Sequence, residues 1–449
     1  MSNYQLRNAV LEILLRIEKD QSFSHLLINQ ELKSKKLNPK DEGLLTEIVY
    51  GTLQRQITLD YFLSKFVDSK KKLDFWVKAL LRMSLYQMVF LDRIPDHAII
   101  HEAVEIAKRR GHRGISSFVN GVLRNIQRQG VPDTEEIQDP ALRISVETSH
   151  PEWLVKRWIG TYGYETTKAM CETNVTRKLT AVRIQPLRIN RDEAIRILTD
   201  QGFEVQASTL SKQGIVIIKG NILQTDLFKQ GYVTIQDQSS MLAAEMLNVI
   251  PGMTVLDACS APGGKVTHIA EKMENKGTIY AHDLHKKKTK LIDQKAEQLQ
   301  LDIVNTSQAD ARQLQEQYEL ETFDRILVDA PCSGLGVIRG KPEIKYHKAE
   351  EDVERLAEIQ LSILNSVAPL LKRNGLLIYS TCTVDAEENE NVVKKFLSEH
   401  VDFHVDTEFF SDLPNSVRES EGISQYGFQL FPQNYNTDGF FLTRLIRTT

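Results

Sequence analysis

The chain has 449 residues, 41% of them apolar and 26% charged, as expected of two to four domains with proper cores. No apolar run reaches the eighteen or so residues of a membrane span, and "MSNYQLRNAVLEILLRIEKD" carries charges through its apolar pattern. These features argue against a membrane protein or a signal peptide and predict a cytoplasmic location. The net charge of −4 divides unevenly: residues 1–130 hold 21 Lys and Arg against 14 Asp and Glu, and the remainder holds 35 against 46.

Residues 1–130 read as an all-α bundle of six or seven helices. In "AVLEILLRI", Val10, Leu14 and Ile17 share one stripe, and "WVKALLRMSLYQMVFL", "HAIIHEAVEIAKRR" and "SSFVNGVLRNIQRQ" repeat the spacing, with breakers such as "NPKDEG" between. Basic blocks at Lys70–Lys72 and Lys108–Arg113 suit a polyanion partner, and equally a solvated helical surface. Residues 131–149, rich in Pro, Gly and acids, read as a linker. Ser149 is placed to cap a helix over "PEWLVKRWIGTYG", with Pro151 in its first turn. Residues 150–231 then read as a small α+β module: "TAVRIQPL" and "GIVIIKG" as strands and "RDEAIRILTDQG" as a helix.

From residue 232 to 449 strands and helices alternate. "TVLDA", "TIYAHD", "RILVDA" and "LLIYST" are short β-rich runs separated by helical stretches. That order predicts a Rossmann-like α/β domain with a mostly parallel, doubly wound sheet. "GFFLTRLIR" reads as a late antiparallel strand.

"VLDACSAPGGKVTHIA" joins the first of these strands to its helix. Gly263 and Gly264 let the backbone approach a ligand, and the turn feeds a helix N-terminus, where nucleotide-like ligands bind in such sheets. Asp283, twenty residues after Gly263, is placed to accept from ribose hydroxyls, and Asp310 to hold an adenine amino edge. The dinucleotide fingerprint and the phosphate loop are both absent. S-adenosylmethionine has a ribose but no phosphate, so it suits an open glycine turn with acids around it. Asp257 belongs to the same constellation.

The four cysteines, Cys171, Cys259, Cys332 and Cys382, form no C-x-x-C pair, so free thiols and no metal site are expected. Cys171 reads as a buried small hydrophobe, and Cys259 as lining of the glycine turn. Cys332 in "DAPCSG" and Cys382 in "STCT" each follow a strand end, where both can face a bound cofactor. A thiolate beside S-adenosylmethionine points to one chemistry. Addition to carbon 6 of a cytosine makes carbon 5 nucleophilic, an acid such as Asp329 engages N3, and a second cysteine assists release.

The motifs "DACSAPGGK", "DAPCSGLG" and "STCT" resemble those of the RNA 5-methylcytosine methyltransferases, the NOL1/NOP2/Sun family. The resemblance implies Cys382 as the nucleophile and Cys332 as the product-release cysteine. It implies cofactor contacts at Cys259, Ser260, Ala261, Pro262, Gly263, Gly264, Lys265, Asp283, Asp310 and Asp329. "RGKPEIKY" resembles the family's Arg-rich loop, with Tyr346 where the family has tryptophan; Arg339, Lys341 and Lys345 are therefore candidate RNA contacts. "FVNGVLRNI" and "PDHAIIHEAVEIAK" resemble the NusB RNA-binding fold. A NusB-like domain with this methyltransferase implies 16S ribosomal RNA as substrate, at cytosine 967. The small module then corresponds to the family's RNA-recognition-like extension. A monomer is expected.

Overall fold

The computed structural model describes residues 3–20, 22–33, 38, 41–68 and 72–448; Lys70 and Lys71 of the first basic block, and Pro39 and Lys40 of "NPKDEG", lie outside them. The chain forms two compact units, Met1–Thr176 with Ile338–Lys348, and Arg177–Val337 with Ala349–Thr449.

Among the described residues, seven helices lie between Asn3 and Gln129. Their three-to-four spacing builds one core that includes Val10, Leu11, Leu14, Ile48, Leu81, Ile106 and Leu123. A buried Arg7–Glu102 pair at 2.7 Å, with Gln87 accepting from Arg7 Nε, satisfies the charges inside it. The stretch expected as a linker contains a helix, Pro140–Thr148. Asp139 caps it by accepting the Leu142 N–H at 2.9 Å, and Pro140 takes the first position, where its missing N–H is harmless. Ser149 ends this helix in a left-handed conformation (φ 59) instead of starting the next, and its Oγ accepts the Ile57 N–H at 2.7 Å. Helices Glu152–Tyr162 and Tyr164–Asn174 also belong to this first unit.

The second unit holds two sheets. The small one has β1 (Thr180–Ile184), β2 (Glu204–Ala207), β3 (Gly214–Lys219) and β4 (Val233–Ile235), all antiparallel in the order β2-β3-β1-β4. Helix Arg191–Asp200 packs Ala194 and Leu198 on Val182, Ile184, Ile215 and Ile217. The large sheet has β5 (Thr254–Asp257), β6 (Thr278–Asp283), β7 (Val304–Gln308), β8 (Phe323–Asp329), β9 (Leu371–Thr381), β10 (Phe403–Val405), β11 (Ile423–Ser424), β12 (Gly427–Leu430) and β13 (Phe440–Arg447). Its order is β11-β12-β13-β9-β8-β5-β6-β7, with β10 on β13. Strands β5 to β9 are mutually parallel and β13 is antiparallel to β9, as the sequence predicts. The middle stretches of the central strands, residues 326–328 of β8 and 376–379 of β9, are apolar and buried because both faces are covered; one core lies on each side. Strand order reverses at β5, which puts a ligand crevice beyond the carboxyl ends of β5 and β8. Among the described residues no helix is long and apolar enough to cross a membrane.

Arg183 of β1 joins the two sheets of this unit. It is fully buried. Its Nη2 donates to Glu271 at 2.8 Å and to Thr267 Oγ1 at 3.1 Å, and its Nη1 to Gln236 and to the Gly264 carbonyl at 2.7 Å. Glu271 also accepts from Gln213 Nε2 at 3.0 Å. Removing one partner strands a charge with no water to replace it. Arg183→Met is expected to destabilise the protein by about 3–5 kcal/mol, and adding Glu271→Met to recover much of that loss. Urea unfolding measures both; an unchanged midpoint for Arg183→Met would mean the pair contributes no net stability.

Candidate active site

Strand β5 ends in Asp257, and the turn Cys259–Gly263 leads into helix Gly264–Lys272. Gly263 sits at φ +101, and a Cβ there would press to 3.1 Å from the Ile292 backbone, so this turn requires glycine. A cavity of about 230 Å³ opens over it, lined among others by Gln236, Ser240, Asp257, Cys259 to Pro262, Gly264, Lys265, Asp329, Cys382 and Phe440.

Carboxylates dominate one end. Burial, and then the charges of Asp257, Asp329, Asp283 and Asp310, push the Cys259 thiol well above its ordinary range. Asp257 is fully buried. Its Oδ2 accepts from Ser260 Oγ at 2.9 Å, its buried Oδ1 has no hydrogen-bond partner, and the residue lines the cavity. Burial, reinforced by Asp329, pushes its carboxyl up to about 7. Asp283 Oδ1 accepts the His285 N–H at 2.8 Å. Asp310 is engaged by Arg312, whose side chain and N–H both donate to it. An unsatisfied buried carboxyl oxygen and a ring of acids fit a ligand that carries positive charge and hydroxyl donors, as S-adenosylmethionine does with its ammonium, sulfonium and ribose.

The other end is built by β8 and β9. Asp329, last in β8, pairs in register with Ser380 of β9, and Ser380 Oγ donates to Asp329 Oδ1 at 2.9 Å. Lys265 Nζ reaches Asp329 Oδ2 at 2.6 Å and lies 5.2 Å from the Phe440 ring centroid. Burial opposes charge on Lys265, but Asp329, Cys382 and Asp257 outweigh it and hold the ammonium above its ordinary value. Just past the two strands, Cys332 Sγ and Cys382 Sγ lie 3.3 Å apart as free thiols. Gly336 permits this approach. Its N–H donates to the Cys382 carbonyl at 3.0 Å, and a Cβ there would overlap the Gly439 carbonyl. The Cys332 hydrogen bond to Cys382, then burial, then the charges of Cys382, Glu388 and Asp329, push the Cys332 thiol well up.

Comparison with known proteins gives the family. Residues 244–446 match the family model described as 16S rRNA methyltransferase RsmB/F, residues 4–128 the NusB family, and residues 150–223 the ferredoxin-like domain of RsmF/B-like methyltransferases. The chain is 49% identical over 442 residues to the probable ribosomal RNA small subunit methyltransferase B of Bacillus subtilis, covering 98% of each chain. It is 34% identical over 419 residues to the ribosomal RNA small subunit methyltransferase B of Pseudomonas syringae, covering 92% of this chain and 90% of that one. The chain belongs to the RsmB/F family of 16S rRNA methyltransferases. A crystallised protein named PH0851 superposes with a TM-score of 0.83 at 27% identity, covering 100% of this chain and 99% of its own.

All the motif residues of this RsmB/F chain that the sequence points to for cofactor and catalysis thus lie at the carboxyl ends of β5 to β9. Lys265, expected as a cofactor contact, lines the cavity and is paired with Asp329. The expected RNA contacts in the loop after Cys332 need revision. Segment Ile338–Lys348 belongs to the first unit. There Arg339 is buried and donates to the Thr176 carbonyl at 3.3 Å. Lys345 is fully buried and donates to the carbonyls of Gln54 at 3.0 Å and Thr148 at 3.4 Å. Neither is offered to a phosphate. Lys341 stays exposed, 5.9 Å from the Phe23 ring centroid. Tyr346 donates to the Leu53 carbonyl at 2.7 Å, and Glu343 accepts from Ser24 at 3.0 Å.

Burial lowers the Lys345 pKa from 10.5 to about 7. A folded-state pKa below the unfolded one means that the unfolded chain binds more protons across that window. Lys345 therefore makes stability rise as pH rises from about 7 towards 10.5. Lys345→Met is expected to flatten that rise, which urea unfolding of both proteins at pH 7 and pH 9.5 would reveal. Parallel pH dependences would show the lysine to be charged in the folded protein.

Proposed function

We propose that the chain methylates carbon 5 of a cytosine in 16S ribosomal RNA, cytosine 967, through a covalent adduct with Cys382. The observation that carries this reading is the pair of free thiols 3.3 Å apart beside the Asp329–Lys265 pair. When bound, S-adenosylmethionine supplies an electrophilic methyl group to carbon 5. Asp257, Asp283 and the turn Cys259–Lys265 are the residues that would hold it, with Asp310 available once Arg312 yields.

Carbon 5 of cytosine is a poor nucleophile. Addition of the Cys382 thiolate forms an S–C6 bond and moves the C5=C6 electron pair towards carbon 5. The Lys265 ammonium faces Cys382 and favours its ionised form. Asp329, fixed by Lys265 and Ser380, is the group assigned to the N3 edge; because cytosine N3 offers only a lone pair, their hydrogen bond is a proton carried by the Asp329 carboxyl and donated to N3 as negative charge develops there. After methylation water takes the carbon-5 proton, the C5–H electron pair restores the C5=C6 double bond, and the S–C6 pair returns to the Cys382 sulfur, which the Cys332 thiol can protonate as it departs. Cys332 is assigned to that release. The base must leave its stack to reach a thiol inside a crevice, so a flipped or single-stranded cytosine is required.

Trapping tests the reading. Wild type, Cys332→Ala and Cys382→Ala are incubated with 16S RNA and S-adenosylmethionine and then denatured. Cys332→Ala is expected to accumulate a covalent protein–RNA complex and Cys382→Ala to form none. The reverse pattern would exchange the two roles. Absence of both adduct and methyl transfer in wild type would remove 16S RNA as the substrate.

A further inference from the structure

The two cysteines have similar covalent surroundings in sequence, yet the proposed chemistry asks opposite things of them. One must ionise and attack, and the other must hold its proton until release. The structure contains an asymmetry that no motif identifies. It lies in Glu388, six residues after Cys382 and just before helix Glu390–Glu399.

Glu388 is fully buried. Its Oε2 accepts the Ser333 N–H at 2.8 Å and Gln360 Nε2 at 2.9 Å, and its Oε1 is bonded to Ser333 Oγ. Gln360 Nε2 also donates to the Pro331 carbonyl at 3.0 Å. The residues on both sides of Cys332 are therefore held by Glu388 and its partner. Ser333 Oγ lies 2.9 Å from Thr383 Oγ1, so the same network reaches the neighbour of Cys382. Tyr379 of β9 closes it from below, with Oη 3.1 Å from Gln360 Oε1 and 2.5 Å from the Glu388 carbonyl.

We propose that Glu388 is a positioning residue that fixes the Cys332 loop against Cys382 and, as a carboxylate behind Cys332, keeps the proton on that thiol. The charges facing the pair fall on opposite sides. Cys332 faces Cys382, Glu388 and Asp329, whereas Lys265 faces Cys382 and Asp329. Glu388 is itself faced by Asp385 and by Tyr379. Burial pushes the Glu388 carboxyl upward, and the three donors from Ser333 and Gln360 work against that push. An anion thus stands behind Cys332, and a cation stands beside Cys382. The proposal deepens the two-cysteine reading and rests on it for its consequence in catalysis.

The first test needs neither RNA nor cofactor. Alkylation of Cys332 by iodoacetamide is followed against pH by peptide mapping, in Cys382→Ala and in Cys382→Ala with Glu388→Gln. The glutamine keeps the shape and an acceptor oxygen but removes the charge. The alkylation midpoint of Cys332 is expected to fall by about one pH unit. A merely structural Glu388 would alter accessibility without moving the midpoint, so an unmoved midpoint in the folded variant overturns the proposal. Glu388→Asp, which keeps the charge on a shorter arm, should leave the midpoint high; a midpoint as low as that of the glutamine variant would also overturn it. Glu388→Gln with Cys382 intact should then accumulate the RNA adduct that Cys332→Ala accumulates. A shifted midpoint with no adduct in any variant would leave the positioning role standing and remove the RNA reading.

Discussion

The parallel pairing of β8 with β9 is the constraint on which the site depends. Asp329 stands opposite Ser380, and each strand stops within two residues of that pair. Cys332 lies three residues beyond one partner and Cys382 two beyond the other, so their 3.3 Å contact follows from the register. A slip of one residue would displace Cys382 by about 3.3 Å and exchange the faces of every β9 side chain. The register is pinned from both flanks. Strand β13 pairs Phe441 with Thr381 on the far side of β9, and Ile378 and Leu377 enter the cores on opposite faces of the sheet. Precision at the thiols is thus a property of the sheet, while the loops after it need only short anchors.

The glycine turn is held from outside its own domain-sized sheet. Arg183 comes from the small antiparallel sheet, yet its guanidinium grips the first carbonyl of helix Gly264–Lys272, the Thr267 hydroxyl and Glu271. It also bonds Gln236, a residue of the cavity wall. A planar guanidinium with several donors suits such a task better than a lysine, because it can satisfy partners in different directions at fixed angles. Lys265, one residue into that helix, carries the pair with Asp329. The small module is therefore coupled to Asp329 through a short run of buried polar contacts.

The alternation of strands and helices, the glycine turn and the strand-end cysteines were legible in the sequence because each follows from a local pattern. The misreadings share one cause: polar residues read as solvated. Residues 131–149 look like a linker by composition, although Asp139 followed by Pro140 is a helix start whose weight was outvoted by the surrounding acids. Arg339 and Lys345 look like phosphate ligands until the structure shows backbone carbonyls of the first unit around them. Glu388 stands in "VDAEENENVV", where four of ten residues are acidic, and nothing local marks Glu388 and Asp385 as buried while Glu387 and Glu390 stay partly exposed. Gln360 is likewise hidden within an amphipathic helix. Short strands such as β2, β4 and β10 escaped notice because three or four residues carry too little periodicity.

Asp257 differs from these anchors in being incompletely satisfied. A carboxyl oxygen sealed from water without a partner opposes folding, and burial has already pushed this group up to about 7. A carboxyl with a folded-state pKa above its unfolded 3.8 weakens the fold progressively as pH rises from 3.8 towards 7, because the unfolded chain releases its proton more readily. Packing alone would favour an amide or an apolar side chain here. The acid makes physical sense if the folded protein is completed by a cation at the cavity wall, whose charge would lower that pKa and return the stability lost on burial. The same step would bind such a ligand more tightly at pH 8 than at pH 6, since fewer molecules would need to surrender a proton before accepting it. The instability of an unfilled site and the affinity for its ligand are then one quantity seen from two sides.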